Sequence, residues 1–331
     1  MPLAIALLVL SFAVLVGGAF VFTNAVEWAG SKLNLGHGAV GSVLAAVATA
    51  MPESLIPIIA IVSGEQGGEI AVGAILGAPF LLGTLAMALC GISALVFRAR
   101  RERVALDLDR PAMVTDLAVF LGAFAVAVGL GAVGSRPVRI AGAVLLLLVY
   151  AGYTWRTLRR GREEGGDEQP PAMYFDPSKQ DPPSGLQLAA QLVAGVLLMV
   201  GGAELFVTQV EHIAKAVGVD ALVLALVLAP LASELPEKIN SVLWIRRGKD
   251  TLALGNITGA MVFQCTIPVG VGLAFTSWSF TAPAWTAGAA ALAGGALALV
   301  PALRGGRFGP PLIALWLALY LGAVAAILTV S

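Results

Sequence analysis

Ala48-Thr49-Ala50-Met51-Pro52-Glu53 is a stretch that the chain carries twice, because Ala232-Ser233-Glu234-Leu235-Pro236-Glu237 repeats its pattern. Each copy places a hydroxyl residue, a proline and a glutamate in a run that is otherwise apolar. The spacing that separates the two copies also carries Gly17-Gly18-Ala19 onto Gly201-Gly202-Ala203. The sequence therefore predicts an internal repeat in which each half holds one buried glutamate beside a helix-breaking proline.

The composition is typical of a membrane protein. Hydrophobic residues make up 58% of the chain and charged residues 12%, and apolar runs of about 20 residues, each able to cross a bilayer as a helix, recur along it. The net charge is zero and no basic cluster accompanies an aromatic motif, so a nucleic-acid partner is not expected. The two cysteines lie in apolar segments and the two histidines lie in no zinc motif, which argues against a disulfide framework and a zinc enzyme.

The apolar runs predict an all-α polytopic membrane protein with about ten transmembrane helices in two five-helix repeats. The N-terminal repeat, residues 1–158, carries the first motif within about 38–97, and the C-terminal repeat, residues 185–331, carries the second within about 219–276. Residues 159–184, rich in Gly, Pro, Glu and Asp, are predicted to form a polar linker. The predicted spans are 3–29, 38–63, 69–97, 112–132, 137–157, 185–213, 219–245, 251–276, 282–302 and 310–330.

The distribution of Lys and Arg predicts the orientation. With ten spans, 16 of the 20 basic residues lie on the side of the linker or in the linker itself. Loops rich in Lys and Arg stay cytoplasmic, so the linker is predicted cytoplasmic and both termini outside, in the cell (inner) membrane. An odd number of spans in each repeat inverts the two halves relative to each other, an arrangement common in secondary transporters.

The motif residues predict a cation site. A proline inside a membrane helix leaves a backbone carbonyl free, and such a carbonyl is unfavourable in lipid unless it lines a polar cavity. Thr49 and Ser233 each precede the glutamate of their copy by four residues, so one helical face can carry both groups. Carboxylate, carbonyl and hydroxyl oxygens suit Ca²⁺, Na⁺ or Mg²⁺ better than softer metals. The competing interpretation is structural: prolines that only kink their helices, glycines that only allow close packing, and carboxylates satisfied within the bundle.

The sequence allows two arrangements of the Glu234 side chain. It precedes Glu237 by three residues, so the two carboxylates can face one cavity together with Glu53. In that arrangement the three acids repel one another, and binding of a divalent cation would expel a proton. Glu234 also precedes Lys238 by four residues, and the two can form a structural ion pair instead.

Both stretches resemble the α-repeats of the cation/calcium exchanger superfamily, which carry a Gly-Thr-Ser-x-Pro-Glu element followed by a Gly-Asn-x-x-Gly-Ser-Asn element. The matching segments are Ala48–Glu53 with Gly73–Pro79, and Ala232–Glu237 with Gly255–Met261. The resemblance implies that Glu53 and Glu237 bind Ca²⁺ and that Thr49 and Ser233 supply further oxygens.

Several polar positions of the family pattern differ in this chain. The departures are Ala50 and Glu234 at the second hydroxyl position, Ala78 and Ala260 after the second glycine, Pro79, and Leu82 and Gln264 further downstream. Among these only Glu234 and Gln264 offer side-chain oxygens, and both are kept as candidate metal ligands. Several oxygens that sodium/calcium exchangers use for Na⁺ are missing, so H⁺ and Na⁺ both stay open as the coupling ion.

The resemblance implies a secondary active antiporter that exchanges Ca²⁺, or a similar divalent cation, for H⁺ or Na⁺ by alternating access. Its expected partners are inorganic cations and the lipid bilayer, without a cofactor, and its oligomeric state is left open. The alternative is a non-transporting or sensor-like relative whose ion site has decayed. An enzyme is not expected, because no serine occupies a Gly-x-Ser-x-Gly setting.

Overall fold

The computed structural model describes residues 1–32, 51–63, 66–97, 106, 108–161, 172–176, 183–305 and 308–330. Within these ranges the side chains of a few helical residues, Glu237 among them, are left out of the description. Nearly all described residues are helical, and the β pairing among them is one isolated bridge between Leu106 and Phe308. The predicted all-α fold class is confirmed.

The described part of the chain contains thirteen α-helices. They are α1 (Pro2–Lys32), α2 (Met51–Ser63), α3 (Gly67–Leu81), α4 (Met87–Val96), α5 (Arg110–Leu130), α6 (Arg136–Gly161), α7 (Gly185–Val217), α8 (Ala221–Ser233), α9 (Leu235–Arg246), α10 (Asp250–Gln264), α11 (Ile267–Phe275), α12 (Ala282–Arg304) and α13 (Pro310–Thr329). A π-helical turn, Leu82–Ala86, joins α3 to α4. In the described part of the chain, eight helical stretches are long and apolar enough to cross a membrane, and two shorter apolar helices accompany them.

These ten apolar segments correspond to the ten predicted spans, with two differences. The second predicted span, 38–63, is described only from residue 51 onward. The seventh, 219–245, is two helices, because α8 ends at Ser233 and α9 begins at Leu235. Pro236 lies in the first turn of α9, where a proline is tolerated because its missing N–H would have no helical partner.

The helix boundaries repeat along the chain. The shift that carries Glu53 onto Glu237 also carries α1 onto α7 and α2 onto α9. The slightly shorter shift that carries Gly73 onto Gly255 brings α3 and α4 onto α10 and α11. The last two helices of the first half, α5 and α6, correspond in order to α12 and α13. The fold therefore contains two repeats of five membrane segments each.

The first helices of the two repeats, α1 and α7, pack on each other. Gly202 of α7 lies against Leu15 of α1, since a Cβ at this glycine would come within 3.0 Å of the Leu15 backbone nitrogen. Gln191 of α7 donates through Nε2 to the carbonyl oxygen of Val21 at 3.0 Å and to Oδ1 of Asn24 at 2.8 Å. Close backbone approach and buried polar contacts are the usual means by which helices associate in a membrane.

Part of the predicted linker is packed rather than solvated. Met173 is 5% exposed and lies in a small apolar cluster with Trp28 of α1 and Leu188 of α7. The backbone N–H of Phe175 donates to Oε1 of Gln191 at 2.8 Å. The polar composition of the linker as a whole did not predict the burial of Met173.

A close backbone approach between the repeats joins α3 to α8. A Cβ at Gly73 would overlap the carbonyl oxygen of Leu222, and a Cβ at Gly77 would overlap that of Leu226. Only glycine permits backbones to come this close. The glycines of the first motif thereby lie directly against the helix that leads into the second motif.

Candidate functional site

The glutamate of the first motif is buried. Glu53 follows Pro52 on α2 and is 7% exposed. Its helix packs against α3 of the same repeat and against α7 and α8 of the other repeat. Glu53 therefore lies in the interior, where the two halves meet. The hydroxyl residue of this copy, Thr49, lies outside the described residues.

The second motif lies at the junction of two helices. Ser233 ends α8, Glu234 connects the helices, and Glu237 belongs to the first turn of α9. Ser233 is 4% exposed, and its hydroxyl donates to the carbonyl oxygen of Ala229 at 3.0 Å. A hydroxyl that donates its proton keeps lone pairs on its oxygen. The carboxyl end of one helix and the amino end of the next meet here, as they do around ions in transporters with discontinuous helices.

The two motifs come together through Gly77. A Cβ at this glycine would lie 2.6 Å from Cγ of Pro230, in the last turn of α8. The second element of the first copy is therefore packed within one helical turn of Ser233. This contact between repeats was not predicted from the sequence, which showed only that both copies contain small residues.

Glu234 forms the ion pair with Lys238. Its Oε2 lies 2.6 Å from Nζ of Lys238, with the two side chains 2% and 10% exposed. The described side chains include no group of three or more carboxylates, imidazoles or thiolates that could hold one metal ion. The arrangement of three acids would also need Glu237, whose side chain is outside that set.

Gln264, the remaining candidate ligand, ends α10 and is 2% exposed. The helix is interrupted directly after it, and the hydroxyl of Thr266 donates to the carbonyl oxygen of Val262 at 2.7 Å. At the matching place in the first repeat the π-helical turn begins, and the hydroxyl of Thr84 donates to the carbonyl oxygen of Phe80 at 2.5 Å. Interruptions of this kind are frequent at functional sites. The sequence signal that was missed is a threonine at corresponding positions of both repeats.

Asp116 is a second residue that the sequence analysis missed. This carboxylate of α5 is 8% exposed. Its Oδ2 accepts from the hydroxyl of Thr258 at 2.7 Å, and its Oδ1 accepts from the hydroxyl of Tyr153 at 2.9 Å. Thr258 belongs to the second motif, in Gly255–Met261. A single carboxylate in an apolar span was the available signal, and it marks a polar contact to the motif helix α10.

Comparison with known sequences identifies relatives of both halves. The sequence profile of the sodium/calcium exchanger protein family matches residues 3–159 and 187–329. The chain is also 35% identical over 86 residues to the protein named "Putative antiporter CaxA" of Alkalimonas amylolytica. That second match spans 26% of this chain and 27% of the relative, so it concerns about a quarter of each protein.

Solved structures share the fold over nearly the whole chain. The crystal structure of the H⁺/Ca²⁺ exchanger CAX is similar with a TM-score of 0.70 and 19% identity, over 98% of this chain and 88% of that one. A structure of the sodium-calcium exchanger NCX_Mj is similar with a TM-score of 0.61 and 22% identity, over 98% of both chains. The structural likeness concerns the fold, and the profile match over both repeats concerns the sequence. Both agree with the α-repeat motifs, and the chain belongs to the sodium/calcium exchanger family.

Proposed function

We propose that the protein is a secondary active antiporter that exchanges Ca²⁺, or a similar divalent cation, for H⁺ or Na⁺ by alternating access. The observation that carries the proposal is a buried carboxylate, Glu53, in one repeat together with a helix break after Ser233 in the other. A buried carboxylate is unfavourable in a bilayer, and a helix break leaves carbonyl oxygens without helical partners. A cation bound between the two repeats would be attracted by the carboxylate and would take such carbonyl oxygens as ligands.

The proposed ligands of the divalent cation are Glu53 and Glu237, with oxygens from Thr49 and Ser233. Two carboxylates balance the charge of one divalent ion. Gln264 is a further candidate, because its buried side chain offers a neutral carbonyl oxygen at the interrupted end of α10. Oxygen-only ligand sets of this kind favour Ca²⁺ over softer metals.

The coupling ion determines how many ligands the site must supply. Na⁺ needs a pocket lined by several oxygens, whereas H⁺ needs only a carboxylate that exchanges protons. The argument for H⁺ rested on three mutually repelling acids, and Lys238 offsets the charge of one of them, Glu234. Ala78 and Ala260 offer no side-chain oxygen for Na⁺. Both gradients therefore belong in the test.

The test is ⁴⁵Ca²⁺ uptake into proteoliposomes that contain the purified chain. One arm imposes an outward Na⁺ gradient and the other a pH gradient, each with an ionophore control that dissipates it. We expect uptake above the dissipated control in one arm, and competition by unlabelled Mg²⁺ or Mn²⁺ then ranks the divalent ions. No uptake in either arm, from protein that is folded after reconstitution, would support the non-transporting alternative.

We also propose that residues 159–184 face the cytoplasm and that both termini are outside, in the cell (inner) membrane. A membrane-impermeant thiol reagent on intact cells should label Ser135→Cys, which lies in the exposed loop between α5 and α6. The same reagent should leave Ser178→Cys unlabelled until the cells are opened. The native Cys90 and Cys265 are both buried, which keeps background labelling low. The reverse labelling pattern would invert the proposed topology.

A further inference from the structure

A groove runs between α8–α9 on one wall and the π-helical turn with α4 on the other, and we call it the α4–α9 groove. Its cavity measures about 310 Å³ and is open on one side. Glu234 and Lys238 line it together with apolar residues of both walls, such as Leu85, Leu89 and Leu231. The groove thus borders the junction between α8 and α9, where the second motif lies.

The surface of the groove is almost entirely apolar, although two charged residues line it. Nζ of Lys238 lies 2.6 Å from Oε2 of Glu234, so the charged groups are directed at each other. An engineered apolar cavity of about 150 Å³ stays dry and binds benzene. The groove has about twice that volume. Its lining therefore fits an apolar group rather than a hydrated ion.

The groove continues into side chains that are exposed on the surface of the membrane segments. Leu243, on its α9 wall, is 40% exposed, and Val96, at the end of α4, is 67% exposed. The helical stretch Gly67–Val96 is long and apolar enough to cross a membrane. Apolar side chains on the surface of such a segment contact the acyl chains of lipids. An acyl chain can therefore enter the groove without passing through water.

One end of the groove is basic. Val242 and Leu243 precede Arg246 by four and three residues, so the three side chains lie on one side of α9. Cζ of Arg246 lies 5.8 Å from the ring centroid of Phe97, the residue that follows α4. The guanidinium therefore reaches from α9 to the end of α4, and the neighbouring Arg247 is exposed. Basic groups at the end of membrane helices attract the headgroups of anionic lipids.

The length of the groove matches one leaflet of a bilayer. Lys238 precedes Arg246 by eight residues, which is about 12 Å along the axis of α9. The hydrocarbon layer of one leaflet is half of about 30 Å. With a headgroup at Arg246, an acyl chain would therefore reach the Glu234–Lys238 pair close to its terminal carbons. The charge at one end and the length of the apolar wall both fit a phospholipid.

We propose that the α4–α9 groove binds a phospholipid with an anionic headgroup. The headgroup lies at Arg246 and Arg247, and one acyl chain lies between α4 and α9 as far as the Glu234–Lys238 pair. The chain covers this ion pair with apolar atoms and keeps water away from it. Lipid binding at this place does not depend on which ions the protein exchanges, so a failure of the antiport and a failure of the lipid site give different results.

The test is photo-crosslinking of the purified full-length chain in phosphatidylcholine nanodiscs. The probe is a phosphatidylglycerol that carries a diazirine at the end of one acyl chain. We expect peptide mass spectrometry to find the cross-links concentrated in Leu85–Leu89 and Lys238–Leu243. Added unlabelled phosphatidylglycerol should suppress them, whereas the same amount of added phosphatidylcholine should not. A probe with its diazirine next to the headgroup should label Val96 and Arg246 instead.

Two tryptophan variants fill the groove at different depths. Leu89→Trp places a bulky ring on the α4 wall, and Leu243→Trp does so at a partly exposed position, where the folded core is less disturbed. Both should lose the cross-links within the groove. Leu197→Trp, on the surface of α7 where this leucine is 65% exposed, is the matched control and should be labelled like the wild type.

Arg246→Gln tests the contact with the headgroup. One basic residue near an anionic lipid contributes about a factor of five in affinity, so phosphatidylglycerol should compete about five-fold more weakly in this variant. Arg304→Gln removes an exposed charge at the end of α12 and should leave the competition unchanged. Equal suppression by both lipids would overturn the proposal, because the groove would then accept any acyl chain. Labelling that persists in both groove variants, or that is equally strong on the exposed surface of α7, would also overturn it.

Discussion

The two copies of the motif have the same backbone plan but different packing. In the first copy Gly73 and Gly77 lie against the backbone of α8. In the second copy no described residue comes within 4 Å of a Cβ at Gly255, and the nearest to one at Gly259 is the hydroxyl of Tyr153 at 4.0 Å. The same glycine pattern therefore permits a backbone contact in one repeat and leaves open space in the other.

The copies also differ in charge. Each has one glutamate after its proline, Glu53 and Glu237, and these are the shared groups. The second copy adds Glu234 and Lys238, which neutralise each other. The repeat therefore determines where the chain bends and where one acid lies. The surroundings of each copy then decide what its other residues do.

The glutamates that both copies share are expected to matter most for transport. Glu53→Gln and Glu237→Gln each keep the side-chain shape but remove one of two charges that would balance a divalent cation. We expect ⁴⁵Ca²⁺ flux in proteoliposomes to fall to background in both variants. Glu204→Gln, at an exposed position on α7, is the control and should transport normally. Near-normal flux in either test variant would show that the two glutamates are not equivalent. The site assignment would then be wrong.

The sequence predicted the elements that depend on local pattern and repetition. Spans follow from apolar runs, and the burial of Glu53 and Ser233 was implied by their position inside such runs. The sequence does not decide whether Glu234 faces Glu237 or Lys238, because Pro236 disturbs the regular helical geometry that would place one of them beside it. The structure has Lys238 as the partner.

Contacts between distant parts of the chain were beyond the sequence. Asp116 and Thr258 are hydrogen-bonded although they are 142 residues apart. Neither residue has a periodicity that indicates the other. The same applies to Gly77 and Leu226, which come together only because two helices from different repeats cross. Helix existence is encoded locally, whereas the partners of a buried polar or small residue are set by tertiary packing.

The difference in glycine packing predicts a difference in stability between two alanine variants. Gly77→Ala adds a Cβ that overlaps the carbonyl oxygen of Leu226, so α3 and α8 must separate. We expect a loss of about 1–3 kcal/mol in unfolding free energy, as for other overpacked interiors. Gly255→Ala is the matched variant, and its stability should stay within about 0.5 kcal/mol of the wild type because that position is exposed. Unfolding in detergent, followed by thermal shift, compares the two. Equal destabilisation would show that the two copies pack alike.

A smaller loss of stability is expected where a later helix of one repeat packs on the motif segment of the other repeat. In one case α12 contacts the π-helical turn through small residues, since a Cβ at Gly294 would overlap the carbonyl oxygen of Gly83. In the other case α5 contacts α10 through the hydrogen bond from Thr258 to Asp116, at 2.7 Å. The contact between α12 and the π-helical turn depends on the absence of side chains, whereas the contact between α5 and α10 depends on a hydrogen bond. The two therefore respond differently to a change of charge alone.

Asp116→Asn tests this polar contact with almost no change in volume. The two hydroxyls donate to different oxygens of the Asp116 carboxylate, whereas the amide of asparagine has one oxygen and one NH₂ group. Its oxygen can therefore accept from Thr258 or from Tyr153, and the other hydroxyl loses its acceptor. Hydrogen bonds to a charged group contribute about 1.5–3 kcal/mol and neutral ones about 0.5–1.5 kcal/mol, so we expect a loss of about 1–2 kcal/mol in unfolding free energy. Thr258→Val and the double variant complete a cycle in which the coupling between positions 116 and 258 is measured directly. Additive losses in that cycle would mean that the hydrogen bond does not join α5 to α10. A coupled loss together with unchanged Ca²⁺ affinity would identify Asp116 as a residue that positions the motif helix rather than one that binds the transported ion.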